Sequence, residues 1–318
     1  MSTDDISVKT VSQDVKERYQ QIQHSRRVRG VIYLVILGVM LFFFNLALHM
    51  VGFSVAELFF YWPYFRSALQ AYFPVTLYFG FIPFLDVSQY LDFIIERDLF
   101  RQAGITLAMG FAGTVMGFPL ALMFGVLGSG RVTPFPFNFI FRGIMSSIRA
   151  IPALVWALIY VPLGGVSPFT ATLAITTDTI GNLGRLYTDE LEEIEEGPIE
   201  AIETTGAGRI QVIVFGMLTQ VHTNFIAWTL YIFEINVRIA VTLGIIGGGG
   251  IGQVLQTQQR LMQYTNMMAS VLVILVLIIS VEMFSQRIRS YLRADEEPMG
   301  PWELLKGFPK RMAESVVK

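Results

Sequence analysis

A chain of 318 residues that is 53% hydrophobic and 15% charged, with a mean hydropathy of +0.54, falls outside the ordinary soluble class and holds enough apolar sequence for several membrane helices. Its net charge of −2 gives no field for a polyanion, so nucleic acid is not among the expected partners. The absence of cysteine excludes disulfides and thiolate metal sites, and His24, His49 and His222 are too scattered to form a metal-binding pattern.

Residues 1–29 are polar and end in a basic cluster, Arg26, Arg27 and Arg29. The apolar run Val31–Val51 follows directly. It is too long for a signal-peptide core and lacks a small-residue cleavage site, so it reads as an uncleaved anchor that starts in the cytosol. Residues 30–101 then form one region, the anchor plus the aromatic stretch Gly52–Arg101 with Phe59, Phe60, Tyr61, Trp62, Tyr64 and Phe65. Its segment Ala68–Leu85 is apolar but broken by Pro74 and Pro83, which predicts an extracytoplasmic, interfacial segment and not a span. Gln102–Leu127 is a span in which Gly113, Gly117, Ala121 and Gly125 recur every fourth residue. Such a seam lets another helix approach closely, and packing within the chain is the simpler reading. Asn138, Arg142, Ser146 and Arg149 make a polar stripe before the apolar run Ala150–Leu163. Pro152 predicts a bend there, with Arg142 reaching for headgroups and Arg149, just before the bend, either doing the same or turned inward. Val166–Gly184 is a threonine-rich span whose Asp178 and Asn182 need partners inside a bundle.

The polar run Leu186–Gly208 interrupts this hydrophobic sequence. Leu183, Tyr187, Leu191 and Ile194 fall on one helical face, with acids on the other, solvated side. Gly197 stops that helix, Pro198 suits the first turn of the next, and the second helix ends at Gly206 or Gly208. A helix this short cannot cross a bilayer; it lies at the interface or docks into a partner.

Ile210–Phe233 crosses back, followed by Glu234 and Arg238 on one helical face. An intramembrane arginine costs about 2.5–3.5 kcal/mol, so Arg238 is either neutralised structurally or held by Glu234 toward a wet substrate path. Gly247, Gly248, Gly249, Gly250 and Gly252 break the helix and are read as part of a gate, since broken backbone at membrane depth lines a cavity. Their formal match to a dinucleotide fingerprint lacks a strand–helix–strand setting, and no phosphate-binding Gly-Lys-Ser/Thr loop occurs, so ATP hydrolysis is not expected in this chain. Met267–Phe284 is the last span, and residues 294–318 form a tail in which Trp302–Met312 could lie on the inner leaflet. Six spans put both ends in the cytosol, with most of the 23 basic residues inside.

Glu200-Ala201-Ile202, then Gly206, then Gly216-Met217-Leu218 resembles the Glu-Ala-Ala coupling motif of ABC-importer permeases. Arg149-Ala-Ile-Pro152 through Trp156, Glu234-Ile-Asn236-Val-Arg238 and the glycine run through Gly252-Gln253 resemble the phosphonate-uptake branch. Ile202 and Thr219 depart from the usual motif, Thr219 standing where a proline is common. The resemblance covers roughly 102–293 and implies an all-α integral membrane protein, a six-helix type I importer transmembrane domain with a cytosolic coupling helix. It implies Ile199, Glu200, Ala201, Ile202 and Gly206 as the contact with an ATPase, with Ile199 and Ile202 seated in its groove. It implies Arg149, Glu234, Asn236 and Arg238 along the substrate path. The expected partners are a cytosolic ABC ATPase dimer carrying ATP and Mg, an extracytoplasmic phosphonate-binding protein, a second permease that is identical or paralogous, and membrane lipid. The expected location is the bacterial cytoplasmic membrane. The cargo would be a phosphonate, phosphate or phosphite, with a methionine-type or other small-solute permease as the alternative. A headgroup-cleaving membrane enzyme or a passive channel lacks the acid–base constellation or polar filter it would need.

Overall fold

The computed structural model describes the backbone of residues 3–78 and 82–292 and, within these, the side chains of 26, 28–77 and 84–292. The expected C-terminal tail, including Trp302–Met312, lies outside the described residues. The chain forms two units, 1–67 and 68–318.

In the first unit, α1 (Thr3–Val51) is one helix, so the expected polar tail and anchor are continuous. No proline or glycine pair separates them, and nothing ends the helix before Gly52, whose φ is +70°. The stretch Val28–Val51 is span-length, and its unit buries none of it, as expected of a lipid-facing helix. α2 (Val55–Tyr72) begins in this unit with the aromatic cluster, whose rings stay exposed.

The second unit starts with the end of α2 and an antiparallel hairpin, β1 (Val75–Tyr78) and β2 (Ile82–Leu85), with Val75 opposite Leu85. Ala68–Leu85 therefore does not span. α3 (Val87–Glu96) buries Tyr90, Phe93 and Ile94, and the Tyr90 hydroxyl donates to the Tyr72 carbonyl at 2.5 Å. The bundle proper follows: α4 (Leu99–Gly128), α5 (Phe137–Ala150), α6 (Ala153–Gly164), α7 (Pro168–Glu192), the short α8 (Gly197–Glu203) and α9 (Arg209–Gln211). α9 runs through a π-helical turn, Val212–Met217, into α10 (Leu218–Leu243). A second π turn, Gly244–Gly248, leads to α11 (Gly250–Arg260) and α12 (Tyr264–Leu292).

α7 is the central helix, packed by α4, α5, α6 and α10. The glycine seam of α4 faces it: a Cβ on Gly117 would stand 2.7 Å from Thr179 Cβ. The seam thus serves packing within the chain. Sequence predicted a span ending near Gly184 and a separate acidic helix; α7 instead continues unbroken to Glu192. The reason is a stripe at steps of four, Ala171, Ile175, Thr179, Leu183, Tyr187 and Leu191, apolar but for Thr179, which stays buried through the expected boundary.

Four helices among the described residues are long and apolar enough to cross a membrane: Val28–Val51, α4, Arg209–Gly248 and α12. α5 and α6 meet at 89° across Ile151 and Pro152, the bend Pro152 predicts, and count as a fifth if taken together. α7, the expected sixth, has the length but not the apolarity, because threonine, Asp178 and Asn182 interrupt it.

Candidate functional site: the knuckle and the polar stations of the bundle

α8 is set off from α7 by the bend at 193–196 and closed by a turn at Gly206, whose φ of +80° suits glycine and whose N–H donates to the Glu203 carbonyl at 2.9 Å. Pro198 sits in its first turn, as the sequence predicts. The faces are the reverse of the expectation. Ile199 is 8% exposed and Ile202 half-buried, both packed into the chain's own core with Val212, Met217 and Val221. Packing against the π turn directs both toward the chain's own core, where full burial of such a side chain is worth about 1.5–3 kcal/mol. Glu200, Ala201, Glu203 and Thr204 form the open face. Thr219 bonds the Phe215 carbonyl at 2.6 Å, inside the stretch where the wider helix rearranges the backbone ladder.

Behind the knuckle, Glu192 is a hub that sequence reading assigned to a solvated face. Its carboxylate pairs with Arg142 and accepts from the Gly130 N–H at 3.3 Å, and its carbonyl accepts from Arg131 Nε at 3.2 Å. Arg142 also donates to the Gly128 carbonyl at 2.7 Å, so it is clamped to protein and does not reach for headgroups. Glu190 accepts from Asn224 at 2.8 Å and from the Trp228 indole at 2.7 Å. The acids of this stretch therefore split between latches and open surface. Spacing alone could not reveal this, since Arg131 lies 61 residues upstream of Glu192 and Asn224 and Trp228 lie 34 and 38 residues downstream of Glu190.

Within the bundle, the expected path residues separate. Glu234 is buried, accepts from Arg238 Nη2 at 2.5 Å and lies 3.8 Å from Arg289, while Arg238 is 3.9 Å from Glu282. In the sequence Arg289 counts only among the basic residues that set topology. Its spacing with Glu282 and Gln286 on one face of α12 was the clue available. Asn236 is a correction: it is 0% exposed and donates to Thr114 and Thr179, each at 2.8 Å, joining α10 to α4 and α7. A side chain enclosed by three helices does not touch cargo. Arg149 is exposed at the end of α5, and its Nε donates to Asn182 Oδ1 at 3.2 Å. Asn182 Nδ2 in turn donates to the buried Asp178 carboxylate at 2.9 Å.

The glycine run is a tight reversal. Gly247, Gly249 and Gly250 have φ of +102°, +92° and +67°. A Cβ on Gly250 would stand 2.2 Å from Thr106 Oγ1, the atom that accepts from Ile251 N–H at 3.0 Å. Gly248, Gly250 and Gly252 are buried against neighbouring backbone, where the sequence reading expects a cavity-lining break. The run fixes how α11 folds back on α10.

Comparison with known proteins gives these features a context. Residues 117–295 match the family model described as "Binding-protein-dependent transport system inner membrane component". The chain is 34% identical over 207 residues to the putative phosphite transport system permease protein HtxC of Stutzerimonas stutzeri, covering 64% of this chain and 72% of that one. It is 35% identical over 196 residues to the phosphate-import permease protein PhnE of Mycolicibacterium smegmatis, covering 61% of this chain but only 37% of that longer protein. A solved structure of the inward-facing MetNI methionine ABC transporter superposes with a TM-score of 0.56 at 22% identity, over 61% of this chain and 95% of that one. That likeness shows the fold.

Proposed function

The chain belongs to the family of inner membrane components of binding-protein-dependent transport systems, and from that premise we propose how this one works and what it carries. It is the multi-pass permease subunit of an ABC importer of the phosphonate-uptake family, with ATP hydrolysed in a separate chain and a permease partner beside it. Our reading of the rest is this. The cargo is a phosphorus oxyanion, phosphite, phosphate or a phosphonate, handed over by an extracytoplasmic binding protein. The permease partner is a second copy, and both chain ends lie in the cytosol of a bacterial inner membrane. ATP and Mg sit on the ATPase dimer.

The observation that carries the coupling mechanism is the two-faced knuckle. Its inner face, Ile199 and Ile202, is packed against the π turn that begins α10. Its outer face, Glu200, Ala201, Glu203 and Thr204, is open. Force applied outside is therefore delivered to the root of α10, and through Glu192 to the ends of α4 and α5. An arginine at Ala201 should abolish co-purification of the ATPase while leaving insertion and folding intact. Gly206→Leu places a branched side chain at positive φ, a strain of about 1–2 kcal/mol, and should stop uptake with the protein still in the membrane. Full uptake and a bound ATPase in both variants would refute the docking.

A further inference from the structure

α7 carries a second feature that its role in packing does not use. Asp178, Asn182, Arg185 and Asp189 follow one another at steps of four, three and four, so they share one narrow face of the helix. The remaining sides are taken: α4 lies against Thr179 and Tyr187, α5 against Gly181 and Gly184, α6 against Thr177, and α10 against Tyr187 and Thr179. Among the described residues, Arg185 and Asp189 bond only to each other, and α5 reaches this face at Asn182 through Arg149. Asp178 is buried near the middle of the helix, whereas Asn182, Arg185 and Asp189 are half-exposed. Arg185 and Asp189 pair with each other at 2.9 Å, as solvated neighbours one turn apart do. A row of charged groups facing lipid is too costly to persist, so the face is wet.

Arg149 stands over the inner end of this row. Its partners define its orientation. The Asp178 carboxylate is acceptor-only, so it takes the amide nitrogen of Asn182 and turns the amide oxygen toward Arg149 Nε. Among the described residues both terminal nitrogens of the guanidinium are then without a hydrogen-bond partner, and no carboxylate lies within ion-pairing distance, the Asp178 carboxylate acting on Arg149 across Asn182. Arg238 differs: an anion there would meet Glu234 and Glu282.

We propose that this face of α7 is the cytosolic half of the oxyanion's route, with Arg149 the cation that receives the cargo and Asp178 and Asn182 the positioning residues that aim it. The free edge of a guanidinium offers the paired donors that a phosphorus oxyanion accepts. The inference rests on the functional reading above for the identity of the cargo, and on the geometry alone for the wet lane.

The chain has no cysteine, so single thiols report cleanly. The complete importer, in proteoliposomes, would carry Arg185→Cys or Asp189→Cys, with Leu183→Cys and Leu191→Cys on the buried face as controls, and would be exposed to a membrane-impermeant sulfonate thiosulfonate reagent. The lane predicts rapid modification at 185 and 189 and none at 183 and 191. Phosphite should slow modification at 185, one turn from Asn182, about tenfold, as a charge-assisted contact requires. That protection should vanish in Arg149→Gln and Asn182→Leu backgrounds and return in Arg149→Lys. Equal inertness at all four positions overturns the lane. Modification without phosphite protection, in an importer that accumulates phosphite, overturns Arg149 as the receiving cation. An unsubstituted importer that takes up no phosphite, phosphate or methylphosphonate refutes the functional reading and the oxyanion with it, and the labelling contrast still decides the lane.

Discussion

Asn236 donates both amide hydrogens, to Thr114 and to Thr179, from a position with no solvent exposure. Each threonine hydroxyl passes its own proton to a carbonyl of its own helix, at 2.7 Å in both cases. The amide is therefore a junction between helices, while Arg238, two residues on, is half-exposed and held by two carboxylates. Helix–helix hydrogen bonds of this kind are worth about 0.6–1.7 kcal/mol each. Asn236→Ala should lower the unfolding free energy of the detergent-purified chain by about 1–3 kcal/mol and leave the KM for uptake unchanged. A raised KM with unchanged stability would return Asn236 to the substrate path. The sequence pattern showed that Glu234, Asn236 and Arg238 were unusual for a membrane helix. It did not show their separate fates, because they lie on different arcs of α10 and only the neighbours say which arc is wet.

The α4–α7 seam was legible in sequence as small residues at steps of four, since close approach needs the absence of side chains at that period. Its partner was not, because any helix can fill a small-residue groove. Gly117 shows how tight the approach is, with Thr179 Cβ 2.7 Å from where a side chain would begin. Gly104, on the same helix, has open space instead. Gly117→Leu should overpack the seam by about 1–3 kcal/mol or more and reduce the monodisperse fraction on size exclusion. Gly104→Leu should leave the profile unchanged. The glycine reversal follows similar logic. Repeated glycine announced a break in the helix, but whether a break lines a cavity or is packed shut depends on Thr106 and Pro168, far away in sequence.

Across the whole molecule, one acidic residue ties the knuckle to the bundle. Glu192 holds Arg142 and the Gly130 N–H through its carboxylate and Arg131 through its backbone carbonyl, so α5 and the turn after α4 meet the root of the knuckle at one residue. The pair is half-exposed, and such pairs add at most about 1 kcal/mol to stability. Glu192→Gln should therefore melt almost like the parent, yet lower the cargo moved per ATP hydrolysed in the reconstituted importer. A large loss of stability with normal coupling would make the hub a fold element only. The sequence by itself determined the membrane class, the bend at Pro152 and the short helix between Pro198 and Gly206, because these follow from local apolarity, ring constraint and backbone freedom. It also carried the family through its motif residues. Only the tertiary structure decided which side of that short helix is free, which acids are latched, which arginine keeps unpaired donors and that the glycines pack shut. Each depends on what stands opposite, and a residue's opposite number across a helix bundle is set by the packing of distant segments and not by its own neighbours in the chain.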